Sequence, residues 1–341
     1  YKIRIKENQM KLKNIVVLMG GISPEREVSL RSGNAVAKAL TEAGFNVSCI
    51  DVKDEKIEEL DHMEIDVAFI ALHGYFGEDG GVQELLESKG ILYTGSGINA
   101  SKLAMDKLAT KRCFIEAGLT TPGYIAVTEF QEFTEIQQEI NNLGLPVVLK
   151  PTRNGSSIGI SIIKDAKNLQ TGLEKAFEFG YELLIEKYIK GRELTLGILD
   201  DKALPIIEIK TAVEFYNYDA KYKDTRTEYL IVKTTSGNDK NTVEDFLNNT
   251  GYLSPSLYNE AQELALNAHK VLGCRGFSRV DMLMDNVGKF YLLEVNTIPG
   301  FTEKSLLPKA AKAAGMSFSS LCKKIAELAF QNSLVTTDAS T

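Results

Sequence analysis

Four side chains within one stretch could do chemistry together: Arg279, Asp281, Glu294 and Asn296, in GFSRVDMLMDNVGKFYLLEVNTIPGFTEKSL from Gly276 to Leu306. Two apolar runs, Val280 to Met284 and Phe290 to Val295, flank Asp285-Asn286-Val287-Gly288, a turn signal that closes a β-hairpin. Strand side chains alternate, so Arg279 shares a face with Asp281, and Glu294 shares one with Asn296. Pairing Met284 with Lys289 sets Asp281 opposite Leu292 and Arg279 opposite Glu294, with all four polar groups on one face. Two carboxylates, a carboxamide oxygen and one guanidinium are costly on a half-buried face unless their charges are matched. A divalent cation resolves the conflict, and hard oxygen ligands of this kind suit Mg²⁺, which completes its shell with water and substrate phosphates. A salt-bridged strand pair, Arg279 to Glu294, is the alternative that the pattern leaves open.

A second candidate is Lys150, at the end of the strand-like run Pro146 to Pro151. It precedes Thr152-Arg153-Asn154-Gly155-Ser156-Ser157-Ile158-Gly159, after which Ile160 to Ile163 resumes a strand. Gly155 and Gly159 permit close backbone approach, while Ser156 and Ser157 offer hydroxyl and amide donors, the makings of an anion-binding nest. The loop does not match GxxxxGK[ST] and is no Walker loop. A flexible hairpin turn is the other reading. His73 stands where a strand gives way to the glycine-rich segment Gly74 to Gly81, which favours a site role; His62 and His269 have no such context.

These groups need elements to position them. Ile15 to Met19 reads as a buried parallel strand ending in Gly20-Gly21, followed by a helix with Ser23 as N-cap and Pro24 at its first position. Val28, Leu30, Val36, Ala39 and Leu40 supply its apolar stripe. Glu25 and Glu27 fall in its first turn, where a phosphate would be repelled and a cation suits better, although acidic residues also stabilise a helix start. Runs at Val47 to Val52 and Val67 to Leu72 complete a βαβαβ pattern, and ligands gather at the carboxyl ends of such strands. The pattern turns helical from Leu92 to Leu119, around a Gly95-Ser96-Gly97 break. Leu183 to Ile189 is a further buried strand, and Gly191-Arg192-Glu193 leads from it into Leu194 to Leu199 as a crossing between units. Ala212 to Thr235, with Tyr216, Tyr218, Tyr222 and Tyr229, has no periodicity and reads as a substrate lid. Ser256 to Leu272 is an amphipathic helix with Ala261, Leu264, Ala265 and Ala268 on one side, and Leu306 to Phe330 closes the chain as helix.

The 341 residues suggest two or three domains. A hydrophobic content of 44% with 25% charged residues excludes a disordered chain, and no apolar run approaches the roughly 20 residues that span a bilayer. A formal charge of −7 gives no basic footprint for nucleic acid. Cys49, Cys113, Cys274 and Cys322 lack CxxC spacing, which argues against a zinc site or a disulfide framework and suits a reducing cytoplasm. Tyr1 to Gln9 precede Met10 and read as a leader or tag, and the tail Thr336 to Thr341 is expected to be frayed.

Taken together, GGISPEREVSLRSG, LHGYFGEDG, MDK, KPTRNGSSIG, YDAKY, and RVD through LLEVNTIPGFTEKSL resemble the D-alanine–D-alanine ligase family of the ATP-grasp superfamily, in the family's order from Met10 to about Gly315. The resemblance implies an α/β chain, α+β in its ATP-grasp part, of three domains. These are an N-terminal parallel-sheet domain at 10–104, a central ATP-grasp subdomain at 105–189 and a C-terminal one at 190–335, between a leader at 1–9 and a tail at 336–341. It implies ATP and two Mg²⁺ ions, with Mn²⁺ able to substitute, the ions held by Asp281, Glu294 and Asn296. Lys107 and Lys150 would grip phosphates and Ser157 would lie in the flap. Glu186, Lys187 and Ile189 would hold adenine, and Glu193 the ribose. Glu25 would pair with the ammonium of the first D-alanine in a network with Ser156 and Tyr222, near His73. Lys221, Ser305 and the amide of Leu306 would bind the second D-alanine carboxylate, while Arg279 and the amide of Gly300 would stabilise the oxyanion.

The implied reaction makes D-alanyl-D-alanine for peptidoglycan through an acyl phosphate, releasing ADP and phosphate, in a cytoplasmic homodimer with small-molecule substrates and neither nucleic acid nor membrane as partner. Lys304 stands where many members have histidine, and Asn154 occupies a variable flap position. Tyr222 favours the dipeptide over D-alanyl-D-lactate. Rival readings are a same-fold ligase using D-lactate or D-serine, a kinase that stops at the phosphorylated carboxylate, and a nucleotide-sensing module without turnover.

Overall fold

The computed structural model describes residues 12–153, 155, 159–211, 226–235 and 250–338. The expected lid from 212 to 225, and with it Lys221 and Tyr222, lies outside the described residues, as do Asn154, Ser156 and Ser157 of the flap.

The chain opens on a three-stranded parallel sheet in which β1 (Asn14–Gly20) lies between β2 (Asn46–Val52) and β3 (Val67–Ile70). Val16, Val17 and Leu18 are all but inaccessible to water, as a continuous apolar run requires when both faces of a parallel sheet are covered. The intervening helix α1 (Arg26–Glu42) starts two residues later than its cap signal suggests. Ser23 is drawn away from capping: its hydroxyl donates to the carbonyl of His73 at 2.6 Å and accepts from the amide of Glu25 at 3.2 Å. Pro24 therefore sits in a turn, and Glu25 takes the cap position. After α2 (Gly81–Ser88), Tyr93 bridges to Ala68 beside β3, so the stretch expected to be helical from Leu92 begins as an extension of the sheet. Helices α3 (Ile98–Met105) and α4 (Lys107–Glu116) follow, with the carboxylate of Asp106 capping α4 through the amide of Ala109 at 3.0 Å.

A second, antiparallel sheet has the order β4 (Tyr124–Thr128), β7 (Glu182–Lys187), β5 (Val147–Pro151), β6 (Ser161–Ile163). Alternation turns Leu183 and Ile185 of β7 into a core with Ile136 and Ile140 of α5 (Phe133–Leu143) and Leu169 and Leu173 of α6 (Leu169–Phe177). The same alternation presents Leu184 and Glu186 to the opposite face.

The third sheet runs β11 (Glu228–Ile231), β10 (Ile207–Lys210), β8 (Gly191–Leu199), β14 (Phe277–Asp285), β15 (Phe290–Asn296), with β9 (Lys202–Ala203) against β8. A short parallel pair, β12 (Lys233–Thr234) and β13 (Tyr252–Leu253), precedes α7 (Pro255–Val271), capped by the Ser254 hydroxyl and presenting Ala261, Ala265 and Ala268 to the core. The β14–β15 hairpin corrects the expected register. Asp285 pairs with Lys289 at the turn, so Met284 meets Phe290 instead of Lys289. Beyond Met282, opposite Leu292, the register shifts again: Asp281 meets Glu294 and Arg279 meets Asn296, leaving Leu293 as the extra residue of a β-bulge. Without that slip Glu294 and Asn296 would turn to the face of Val280 and Met282, which is core. The bulge sends Val295 into the core and both polar side chains to the side of Asp281.

Expected as one helix, the C-terminal segment is two, α8 (Leu306–Ala313) and α9 (Phe318–Asp338). They part at Gly315, whose φ of +83° terminates the first. Leu321, Ile325 and Ala326 of α9 pack back on Ile15 and Val17 of β1. Phe301, after β15, lies edge-on to Phe69 at 5.5 Å and to Phe277 at 5.4 Å, pinning the segment around Gly300 between the parallel sheet and the third sheet.

Candidate active site

A cleft of about 800 Å³ opens where α1, the loop after β3, the start of α4, the hairpin and the turn into α8 meet. Glu25, His73, Lys107, Arg279, Glu294, Asn296, Gly300, Ser305 and Leu306 line it, so residues far apart in sequence share one cavity. Asp281 lies just behind Arg279 and is buried. Its carboxylate takes Arg279 Nε at 2.9 Å and Nη2 at 2.7 Å, and the hydroxyl of Thr195 on β8 at 2.5 Å. The ion pair on this face therefore joins Arg279 to Asp281 within one strand, where the expected register aimed Arg279 at Glu294. Sequence reasoning missed Thr195, because nothing marks it until β8 is known to place it opposite Asp281.

Asp281, Glu294 and Asn296 supply two carboxylates and a carboxamide oxygen on one face, and Asn296 Oδ1 also accepts from the amide of Ile298 at 3.1 Å. No group of three or more His, Cys, Asp and Glu side chains gathers among the described residues. The set is all oxygen, sits at the mouth of a cleft and leaves coordination positions for phosphate and water, which fits Mg²⁺ better than a softer metal.

The carboxylate of Glu25 is buried at the meeting point of two glycine loops. A Cβ on Gly74 would come within 2.8 Å of its Oε2, and one on Gly155 within 3.3 Å. His73 is held on both sides, with Nε2 at 3.2 Å from the Ser32 hydroxyl and Nδ1 at 3.7 Å from Glu78. Glu78 Oε2 also accepts from the amide of Gly74 at 2.8 Å, which fixes the loop. At the other wall, Ser305 shares its hydroxyl with Thr302 and accepts the Thr302 amide at 3.1 Å. Leu306 opens α8, so its amide belongs to the helix-terminal donors that have no intrahelical acceptor.

Lys150 and Glu186 do not line this cleft. They lie on the inward face of the second sheet, where Glu186 is clamped between Lys150 Nζ and Lys111 Nζ, each at 2.6 Å. Burial would raise the Glu186 carboxyl, and the two ammonium groups more than reverse that, holding it down at about 2. Lys111, on α4 one turn beyond Lys107, is wholly buried; desolvation pulls it below the usual lysine range despite Glu186, and Lys150 adds to the fall. Its spacing from Lys107 was the signal that sequence reasoning passed over. Lys187 donates to the carbonyl of Gly144 at 2.9 Å, and Ile189 and Glu193 stand partly exposed on either side of the crossing.

Two solved structures resemble the fold. Both are of D-alanine–D-alanine ligase from Bacillus anthracis, one described as complexed with ATP (TM-score 0.78, 36% identity) and one without that description (TM-score 0.81, 38% identity); each covers 94% of this chain and 98% of the neighbour. A parallel-sheet domain, a lysine-bearing antiparallel sheet and a carboxylate-bearing hairpin define an ATP-grasp fold. Family models described as "D-ala D-ala ligase N-terminus" and "D-ala D-ala ligase C-terminus" match residues 53–96 and 113–327. Curated D-alanine–D-alanine ligases of Syntrophotalea carbinolica and Trichlorobacter lovleyi are each 44% identical, over 94% of this chain and 97% and 96% of theirs. The chain belongs to the D-alanine–D-alanine ligase family.

Proposed function

We infer that the protein joins two molecules of D-alanine to D-alanyl-D-alanine, hydrolysing ATP to ADP and phosphate through an acyl phosphate. The observation that carries this reading is the bulged hairpin, which brings Arg279, Asp281, Glu294 and Asn296 to one wall of a cleft whose other walls hold Glu25 and the start of α8, in a chain of this family.

Each residue then has a task. Glu25 pairs with the ammonium of the first D-alanine, whose carboxylate attacks the γ-phosphate, and His73, fixed by Ser32 and Glu78, closes that subsite. Lys107 and Lys150 meet the phosphates, Glu186, Lys187 and Ile189 frame the adenine and Glu193 the ribose. Mg²⁺, or Mn²⁺ in its place, held by Asp281, Glu294 and Asn296, neutralises phosphate charge. Ser305, the Leu306 amide and Lys221 orient the carboxylate of the second D-alanine so that its amine faces the acyl carbon. Arg279 and the amide of Gly300 receive charge on the tetrahedral oxygen, and Arg279 stays aligned because Asp281 holds it. Ser156, Ser157 and Tyr222, placed by sequence in the flap and lid, shield the acyl phosphate from water.

Among the described residues no helix is long and apolar enough to cross a membrane. We place the reaction in the cytoplasm, in a homodimer formed through the parallel-sheet domain. The deciding experiment incubates the protein with ATP, Mg²⁺ and D-alanine and quantifies phosphate and dipeptide together. Equal yields support the reading, and phosphate without dipeptide overturns it. Parallel reactions with D-lactate or D-serine test the alternative second substrates.

A further inference from the structure

The described residues contain one fully buried lysine, and the residues assigned to the reaction above do not include it. Lys111 has no exposed surface, and it reaches Glu186 from the side opposite Lys150. Two ammonium groups on one carboxylate leave the cluster with one excess positive charge, which a protein interior does not hold without a use. The two lysines are not equivalent. Lys150 keeps about 10% of its side chain open to solvent, whereas Lys111 is sealed beneath the sheet, 5.6 Å from the ring centre of Tyr124. A ligand anion can therefore draw on Lys150 and never on Lys111. The sealed lysine is also anchored: its ammonium donates to the hydroxyl of Thr121, which donates to the carbonyl of Leu292 at 2.8 Å. Leu292 immediately precedes the bulge residue Leu293, and its own amide donates to the carbonyl of Thr120 at 2.9 Å.

We propose that Lys111 is a positioning residue for nucleotide binding: it is the standing counter-ion of Glu186, which lets Lys150 swing from that carboxylate to a nucleotide phosphate, and through Thr121 it fixes the strand that carries Glu294. The proposal rests on the nucleotide reading of the site given above. With Lys111 present, moving Lys150 leaves Glu186 paired. With Lys111 replaced by a neutral side chain, the same movement strands a buried carboxylate, and the loss falls on the nucleotide and not on the amino acid.

The test compares the full-length wild type with K111M, K111R, K150M and K111M/E186Q. ATP with Mg²⁺ is titrated by calorimetry in the absence of D-alanine, and KM for D-alanine is measured at saturating ATP. The expected result is ATP affinity about tenfold or more weaker in K111M, with KM for D-alanine shifted less than about threefold. K111R, which keeps the charge, binds ATP within about threefold of wild type, and K111M/E186Q, which has no buried anion to strand, regains much of what K111M loses. A K111M protein that binds ATP like wild type overturns the proposal, as does an equal loss for ATP and D-alanine. Should K111M fail to fold, the double variant decides: affinity clearly above that of K150M supports the proposal, and affinity as poor as that of K150M overturns it. A wild-type protein that binds no ATP would instead overturn the nucleotide reading itself, so the two failures are distinguishable.

Discussion

Asp281 faces Glu294 directly across the hairpin because Leu293 is absorbed in a bulge, and Asn296 faces Arg279 one pair further on. A carboxylate pair this close is stable where cations divide its charge, and Arg279 covers Asp281 from one side. Asp281→Asn and Glu294→Gln are each expected to lower dipeptide formation by about 100-fold or more, the scale seen when one preorganised electrostatic group is removed. Mn²⁺ titration followed by electron paramagnetic resonance should show the ion bound more weakly in both, with thermal unfolding close to wild type. Tight Mn²⁺ binding in both variants would remove Asp281 and Glu294 from the metal site.

The hydroxyl of Ser32 stands between two parts of the cleft. It accepts the amide of Phe301 at 3.2 Å, which leaves its own proton for Nε2 of His73 and places the histidine proton on Nδ1, toward Glu78. Ser32→Ala leaves a buried amide and a ring nitrogen without this partner and is expected to cost about 1–3 kcal/mol of stability. Because Phe301 follows Gly300, kcat should fall along with it. Urea unfolding and steady-state kinetics check both, and a variant with wild-type stability and kcat would make the bridge incidental.

Most of the strands were legible in the sequence. Continuous apolar runs at Ile15 to Met19, Val67 to Leu72 and Leu183 to Ile189 became buried strands, and the four polar groups of the hairpin do share a face. What could not be read was anything decided by contact between distant segments. Alternation along Phe290 to Asn296 is broken by the adjacent leucines Leu292 and Leu293, a trace of the bulge, yet its position is fixed by the demand that Val295 reach the core. Ser23 and Pro24 carry a proper helix-start signal, and the carbonyl of His73, fifty residues on, overrides it. Lys111 and Thr195 look like ordinary helix and strand residues until packing sets them beside Glu186 and Asp281.

Acid should weaken the fold in two steps. His269 is buried with Nδ1 at 2.7 Å from the Ser278 hydroxyl. Desolvation, aided by Lys270 and opposed by Asp201, lowers it from 6.5 to about 4. The unfolded chain then binds the extra proton between those values, so stability is complete above about 6.5 and declines as pH falls toward 4, by up to about 3 kcal/mol. Glu186, depressed from 4.5 to about 2, contributes stability that is present above 4.5 and is lost only below that. Urea midpoints measured at pH 7, 5.5 and 4.5 should fall in wild type and stay nearly level in His269→Gln. An equal slope in the two proteins would assign the acid sensitivity elsewhere.

Glu25 gives the sharpest separation between the two ligands. Its carboxylate is buried, it sits at the entrance to α1 beside Gly74 and Gly155, and no phosphate would be tolerated there. An ammonium would be, and a charge-assisted hydrogen bond to it is roughly twice as strong as a neutral one. Glu25→Gln keeps the shape and the hydrogen-bonding reach while removing the charge. KM for the first D-alanine is expected to rise about tenfold or more, since bonds to charged groups are worth about 1.5–3 kcal/mol, while ATP affinity without D-alanine changes little. Two-site analysis of D-alanine saturation alongside an ATP titration separates the two. Equal losses for both ligands would mean that Glu25 holds the glycine loops together and leaves the ammonium to another group.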